Sequence, residues 1–333
     1  MPDSEDLRPI LERSVKHPAR WLLPFALAGL ALLTACRPKS SSLDQRTLAI
    51  ADLQPAALAD GQPLQVVATT TLVAEVVRIV GGPDITLVTL LGPGSDPHTY
   101  EPIPQDARAL AEADIVIQSG FGLEKFLEDN LLLAGSTAPF VALSDGIEPI
   151  RLADGSGEID PHVWLDPRNV MVWTTNAGEA MARLDPDHGD GYRQRAEAYR
   201  LELEALDRRA SDGLALIPPD QRQLVTDHDT LGYFAVRFGF TIVGAVIPSA
   251  SSSAEASARE LAALEDSIRR ERVRAVFIAA EVNPDLAQRV ADDTGARLVP
   301  LHLESLTGPD GPTPSYVAMM EYNVAAIVGG LAQ

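Results

Sequence analysis

Residues 190–214 read DGYRQRAEAYRLELEALDRRASDGL. Tyr192, Ala196, Tyr199, Leu203 and Leu206 recur at intervals of three and four, which places them on one face of a helix. Arg, Glu and Asp occupy most of the remaining positions. At 1.5 Å per residue such a helix is ~37 Å long, enough to cross two packed bodies. Within a single domain it would be an ordinary surface helix. Its position near the middle of the chain, between two halves of alternating strands and helices, makes it a strut. The predicted fold is therefore α/β: two lobes, each a parallel β-sheet flanked by helices, joined by one long backbone helix.

Before the strut, residues 64–68, 85–90, 115–118 and 140–143 have the length and β-branching of buried strands. Helices are expected over 72–80, capped by Thr70 or Thr71 and ended by Gly81-Gly82, over 105–113, from Phe121 to about residue 133, and over 169–184. After the strut, strands are expected over 223–226, 241–247, 275–279 and 297–301. Helices are expected over 231–238, over 258–271 behind the capping box Ser257-x-x-Glu260, and over 285–294. A final amphipathic helix is expected over 315–331. The lobes then span 64–185 and 218–333, with the linking helix at 186–217.

The start of the chain has a different character. Residues 21–33 form an apolar run preceded by Lys16 and Arg20. Thirteen residues fall short of the ~20 that span a bilayer and match the core of a signal peptide. The run ends in Leu33-Thr34-Ala35-Cys36, and Cys36 is the one cysteine of the chain. That ending resembles the bacterial lipoprotein box, which implies a signal peptide over 1–36 with lipidation at Cys36. Residues 37–63, rich in Ser, Pro and Ala, read as a flexible tether from membrane to folded body. With one cysteine there is no intrachain disulfide and no thiolate metal cluster. The net charge is −20, and residues 1–35 carry four acids and four bases, so all of the excess acid lies beyond them. Such a surface repels nucleic acid and excludes DNA and RNA as partners.

Of six histidines, two sit in near-identical frames: His98 in SDPHTYEP (residues 95–102) and His162 in DPHVWLDP (160–167). In each frame proline stiffens the backbone just ahead of the imidazole, and Asp can close a side-chain turn. A stiff loop that presents a ring nitrogen lowers the cost of ordering a metal ligand. One Asp-Pro-His would be an ordinary surface turn; two of them, with a third framed histidine downstream, point to a metal site. That third is His228 in TDHDT, at the end of an expected strand. The final strand leads into Leu301-His302-Leu303-Glu304, where Glu304 is a carboxylate candidate and His302 an alternative fourth ligand two residues away. His98, His162, His228 and Glu304 would fill a tetrahedral shell. His17 precedes the signal core, and His188 lies at the polar start of the strut; neither is counted. Gly120-Phe121-Gly122 lacks the further glycines of a nucleotide loop and is set aside.

Taken together, SDPHTYEP, DPHVWLDPRNV, TDHDTLGYFAVRFG, EASAREL (255–261) and VPLHLESL (299–306) resemble the metal-specific class of periplasmic solute-binding lipoproteins that serve ABC importers of zinc or manganese. The resemblance covers residues 64–331. It implies two α/β lobes on one long helix, a metal in the cleft, no catalytic activity, and a membrane permease as partner. It also implies a lipid-anchored, monomeric protein outside the cytoplasm. Carried over by position, the ligands are His98, His162, His228 and the carboxylate at 304, where family members usually have Asp and this chain has Glu304. Histidine at the third position resembles zinc members, and imidazole suits Zn2+; Mn2+ is the alternative, because residues 103–159 lack the His-rich loop common among zinc members. Two other functions were weighed. A zinc hydrolase would need an open coordination position and a nucleophile or H-E-x-x-H frame, and none can be found. An adhesin or organic-solute receptor would need aromatic surfaces, and aromatics are only 5% of the chain. With ordinary imidazole ionisation, metal affinity is expected to fall below pH ~6.5.

Overall fold

The computed structural model describes residues 47–59, 61–127, 136–152 and 157–331. The leader, Cys36 and the chain to residue 46 lie outside these, as does the end of the helix expected from Phe121. The described part of that segment, Leu123–Leu127, is a 3-10 turn.

In the first lobe β1 (Leu64–Ala68), β2 (Ile85–Thr89), β3 (Ile115–Gln118) and β4 (Phe140–Ala142) form a parallel sheet in the order β2-β1-β3-β4. In the second, β5 (Gln223–His228), β6 (Thr241–Ile247), β7 (Ala275–Ala279) and β8 (Arg297–Leu301) repeat that order as β6-β5-β7-β8, again parallel. Every residue of β3 and β7 is buried. That is the pattern of strands covered on both faces, and it explains why these read as continuous apolar runs in the sequence. Eight α-helices are described: α1 (Thr71–Gly81), α2 (Pro104–Glu112), α3 (Pro167–Leu184), α4 (Gly189–Leu214), α5 (Gly232–Phe238), α6 (Ala258–Glu271), α7 (Asp285–Thr294) and α8 (Tyr316–Leu331).

The strut is α4. It packs on α1 and α3 of the first lobe and on α8 of the second. Its buried face is the stripe legible in the sequence, Tyr192, Ala196, Tyr199, Leu203 and Leu206. These side chains share one apolar cluster with Val73 and Val77 of α1, Phe277 of β7 and Met320 of α8. Each buried leucine contributes ~1.5–3 kcal/mol, so the seam between lobes is a core and not a loose hinge. Polar clamps hold both ends. Arg195 donates to the carbonyls of Val80 (2.7 Å) and Gly81 (2.8 Å) and pairs with Asp84 (2.7 Å), which closes the C-terminus of α1. Gly82 ends that helix at φ +57°, and a Cβ there would lie 2.9 Å from Arg195 Nε, so position 82 requires glycine. Toward the second lobe, Asp207 accepts two hydrogen bonds from Arg237 of α5, at 2.8 and 2.5 Å.

Two expectations change. The segment read as a flexible tether is docked from Thr47 onward: Leu48 N donates to Phe140 O (2.8 Å), Ala56 N to Leu184 O (2.8 Å), and Leu53 is buried. Its few apolar residues are enough to hold it against the edge of the first sheet, where β4 offers an unpaired backbone. Helix α8 buries Tyr316, Met319, Met320, Val324 and Ile327 against the strut and the second sheet, and leaves Glu321, Ala325 and Gly329 exposed on its other face, as an amphipathic helix does. Strand β5 runs on to His228, two residues further than its apolar run suggests.

Candidate metal centre

The four candidate side chains come from the C-terminal ends of the two sheets, where open parallel sheets bind ligands. His98 lies on the loop after β2 and His162 on the segment between β4 and α3; His228 ends β5 and Glu304 follows β8. Local chemistry sets each imidazole. Asp96 Oδ1 accepts from the His98 backbone N (2.8 Å), and Asp160 Oδ1 accepts from the His162 backbone N (2.9 Å). The two Asp-Pro-His frames are thus the same side-chain turn. Proline at 167 then starts α3, with Asp166 as its cap.

These loops bring the rings together. His98 Nε2 lies 3.1 Å from His162 Nε2, and His162 Nε2 lies 3.4 Å from His228 Nε2. The three ring centroids are 5.2, 5.4 and 5.2 Å apart. Glu304 completes the group: Oε1 is 3.5 Å from His228 Nε2 and 3.8 Å from His162 Nε2, and Oε2 is 3.8 Å from His98 Nε2. Four donors bound tetrahedrally at ~2.0–2.1 Å lie roughly 3.3 Å from one another. The observed spacings straddle that value, so an ion could be held with small adjustments. Among the described residues this is the one cluster of three or more His, Cys, Asp or Glu that could hold a metal ion. His162, His228 and Glu304 are buried, and only His98 keeps slight exposure. Glu304 Oε2 is buried with no hydrogen-bond donor among the described residues, a position that a cation would satisfy.

Carboxylates behind the rings aim them. Asp160 Oδ1 also meets His162 Nδ1 at 2.7 Å, which leaves Nε2 to face the group. Asp227 Oδ2 lies 3.2 Å from His228 Nδ1. Thr230 donates to Glu304 Oε1 at 3.3 Å, and Trp164 Nε1 donates to Leu303 O at 2.7 Å, which fixes the loop that carries Glu304. These partners were not singled out from the sequence. For Asp160 the signal was its place in the repeated frame; for Trp164, 139 residues from Leu303, there was none.

Burial and close opposite charges act against each other in the centre. Burial pushes the His98 imidazole down to about 3, against the pull of Glu304 and helped by the neighbouring rings of His162 and His228. Burial opposes charge on His228 too, but the carboxylates of Asp227 and Glu304 outweigh it and raise that imidazole to about 10. For Glu304 burial is likewise outweighed, by the surrounding His162, His228 and His98, and its carboxyl falls to about 2.

His302 is not brought into the group. Its Nδ1 faces Glu281 at 3.7 Å, and its backbone N donates to Asn323 Oδ1 at 2.9 Å. Strand β8 ends at Leu301, so the alternation that would align 302 with 304 does not continue past it. His188 is half exposed and pairs with Asp185, on the strut side of the first lobe.

Known proteins resemble this chain over most of its length. Residues 66–330 match the family described as ZnuA, zinc-uptake complex component A, periplasmic. The chain is 28% identical over 290 residues to the iron-binding protein YfeA of Yersinia pestis, covering 84% of this chain and 92% of that protein. It is 30% identical over 275 residues to the manganese-binding lipoprotein MntA of Halalkalibacterium halodurans, covering 82% and 90%. Among solved structures, the periplasmic zinc-binding protein TroA from Treponema pallidum superposes with a TM-score of 0.75 at 28% identity, over 82% of this chain and all of the other. With its two repeated sheets, its strut and this match across most of its length, the chain belongs to the ZnuA family, a periplasmic class of metal-binding solute-binding proteins, not enzymes, that works with ABC permeases.

Proposed function

We propose that the protein captures a single divalent transition metal, zinc before manganese, at His98, His162, His228 and Glu304, and delivers it to an ABC permease for uptake. One observation carries the reading: three imidazole nitrogens and a carboxylate meet at 3.1 to 3.8 Å in a buried pocket drawn from both lobes. Three imidazoles and one oxygen donor suit zinc, and for a given nitrogen–oxygen site the affinity order places Zn2+ above Mn2+. Manganese stays as the second reading on one geometric point. Both oxygens of Glu304 face the imidazoles, so bidentate binding would supply the fifth donor that a larger, oxygen-preferring ion accepts. Lipid attachment at Cys36 would keep the monomeric protein outside the cytoplasm on the cell membrane, with the chain ahead of Thr47 as its tether and residues 64–185, 186–217 and 218–333 as lobe, linking helix and lobe. The test is metal analysis of protein purified without added metal, followed by competition of Zn2+ against Mn2+. About one zinc per chain, lost in His98→Ala and Glu304→Ala, is the expected result. A wild-type protein that takes up neither ion would end the reading, and tighter Mn2+ than Zn2+ would reverse the choice of metal.

A further inference from the structure

We infer that Asp96 and Ser252 are positioning residues that retain the bound ion. Ser252, from the second lobe, closes on the Asp96 carboxylate that sets the backbone of His98, and so slows release. The inference rests on the reading of the centre given above.

Asp96 is used twice. Oδ1 accepts from the His98 backbone N at 2.8 Å, and Oδ2 accepts from Ser252 Oγ at 2.6 Å, across the cleft. Ser252 belongs to the loop after β6, whose root is tied to the ligand-bearing segment of its own lobe: Asp229 N, next to His228, donates to Ser249 O at 2.8 Å. The loop therefore bridges two ligand-bearing segments, one from each lobe. It also borders a cavity of about 960 Å³ that reaches His98, with Pro97 and His98 on one wall and Ser249, Ala250, Ser251 and Ser253 on the other. His162, His228 and Glu304 are 0–1% exposed, whereas the His98 side chain is 8% exposed, so an ion leaving by this cavity passes His98. For His98 to swing aside, Asp96 must let go of its backbone or move with it, and the bond to Ser252 resists both. The neighbouring hydroxyls do not share this role, since Ser251 and Ser253 bond to each other at 2.7 Å. The lobes are joined elsewhere, by Ser305 with Thr71 (3.1 Å) and by Tyr316 with Trp164 O (2.6 Å), so losing Ser252 leaves the fold in place.

The experiment loads the full chain with Zn2+ and follows release into excess chelator for the wild type, Ser252→Ala, Ser253→Ala, Asp96→Ala and the double variant. A hydrogen bond to a carboxylate makes Ser252→Ala about tenfold faster in release. Ser253→Ala should match the wild type. The Co2+ absorption spectrum of Ser252→Ala and the melting of its metal-free form should be unchanged, because ligands and fold are intact. If the two residues act as one device, the double variant releases no faster than Asp96→Ala. Release from Ser252→Ala at the wild-type rate, or an altered Co2+ spectrum, would overturn the proposal; Ser252→Ala alone decides if Asp96→Ala does not fold. A wild type that binds no metal would instead overturn the reading of the centre, which this design separates from failure of the latch.

Discussion

At the scale of the residue, His228 decides how the centre responds to pH. Its imidazole, held at about 10, is protonated in the metal-free protein throughout the neutral range, and a metal needs it neutral. Raising the pH removes the competing proton, so affinity rises until the pH passes about 10 and then levels off. Neither Glu304, at about 2, nor His98, at about 3, changes charge in that window, so neither adds to the slope. Between pH 6 and 9 the dissociation constant should fall as the pH rises, with protons released as the ion binds. This moves the window well above the pH ~6.5 expected from ordinary imidazole ionisation, because two carboxylates flank His228. Competition titrations at four pH values, with calorimetry in buffers of different ionisation enthalpy, measure both quantities; affinity independent of pH would refute the assignment. Removing one flanking carboxylate with Asp227→Asn should flatten the dependence. Asp160 works by direction rather than charge. Its Oδ1 accepts a hydrogen bond from His162 Nδ1, and Asp160→Asn should weaken metal binding about 10- to 100-fold by releasing the ring's orientation. Affinity within twofold of wild type would show that Asp160 does not steer the ring.

Among the elements, the strut is where lobe geometry is stored. Arg237 of α5 and Asp207 of α4 form a two-bond pair, with side chains 15% and 12% exposed. Cutting the arginine away leaves a mostly buried carboxylate with the exposed Arg168, at 3.6 Å, as its remaining counter-charge. Arg237→Ala should cost about 3 kcal/mol, discounted toward 2 for residual solvent, and urea unfolding would read it as a lower midpoint at unchanged slope. A loss below about 0.5 kcal/mol would mean that water replaces the arginine. What the sequence disclosed follows the reach of each cause. Elements set by local rules were legible to the residue: β6, β7 and β8 by β-branching and length, α6 by Ser257 bonding to Glu260 N and receiving its carboxylate in return. His98 and His162 stood out as candidates because Asp-Pro-His is a local turn that occurs twice. The choice of Glu304 over His302 was not legible, since it depends on where β8 stops. Docking of residues 47–59 was also hidden, because it depends on surfaces supplied by segments far away in the chain. The latch pair, 156 residues apart, had no local trace at all.

For the molecule as a whole, the even division of ligands between lobes matters most. His98 and His162 belong to the first, His228 and Glu304 to the second, and α4 with α8 fixes how far apart they stand. An ion bound by all four adds its binding energy to the seam and not to either lobe alone. By mass action, free Zn2+ at 100 times its dissociation constant adds ~2.7 kcal/mol to the folded state. For a body of this size that raises the melting temperature by roughly 5–10 °C. The protein carrying His98→Ala and His162→Ala still has His228 and Glu304 in place, yet two donors in one lobe cannot span the seam, so its melting should not respond to the ion. Scanning calorimetry of both proteins, with and without Zn2+, is the measurement. A double variant that gained the full shift would mean that the second lobe binds the ion by itself, and the cleft would then have no part in capture.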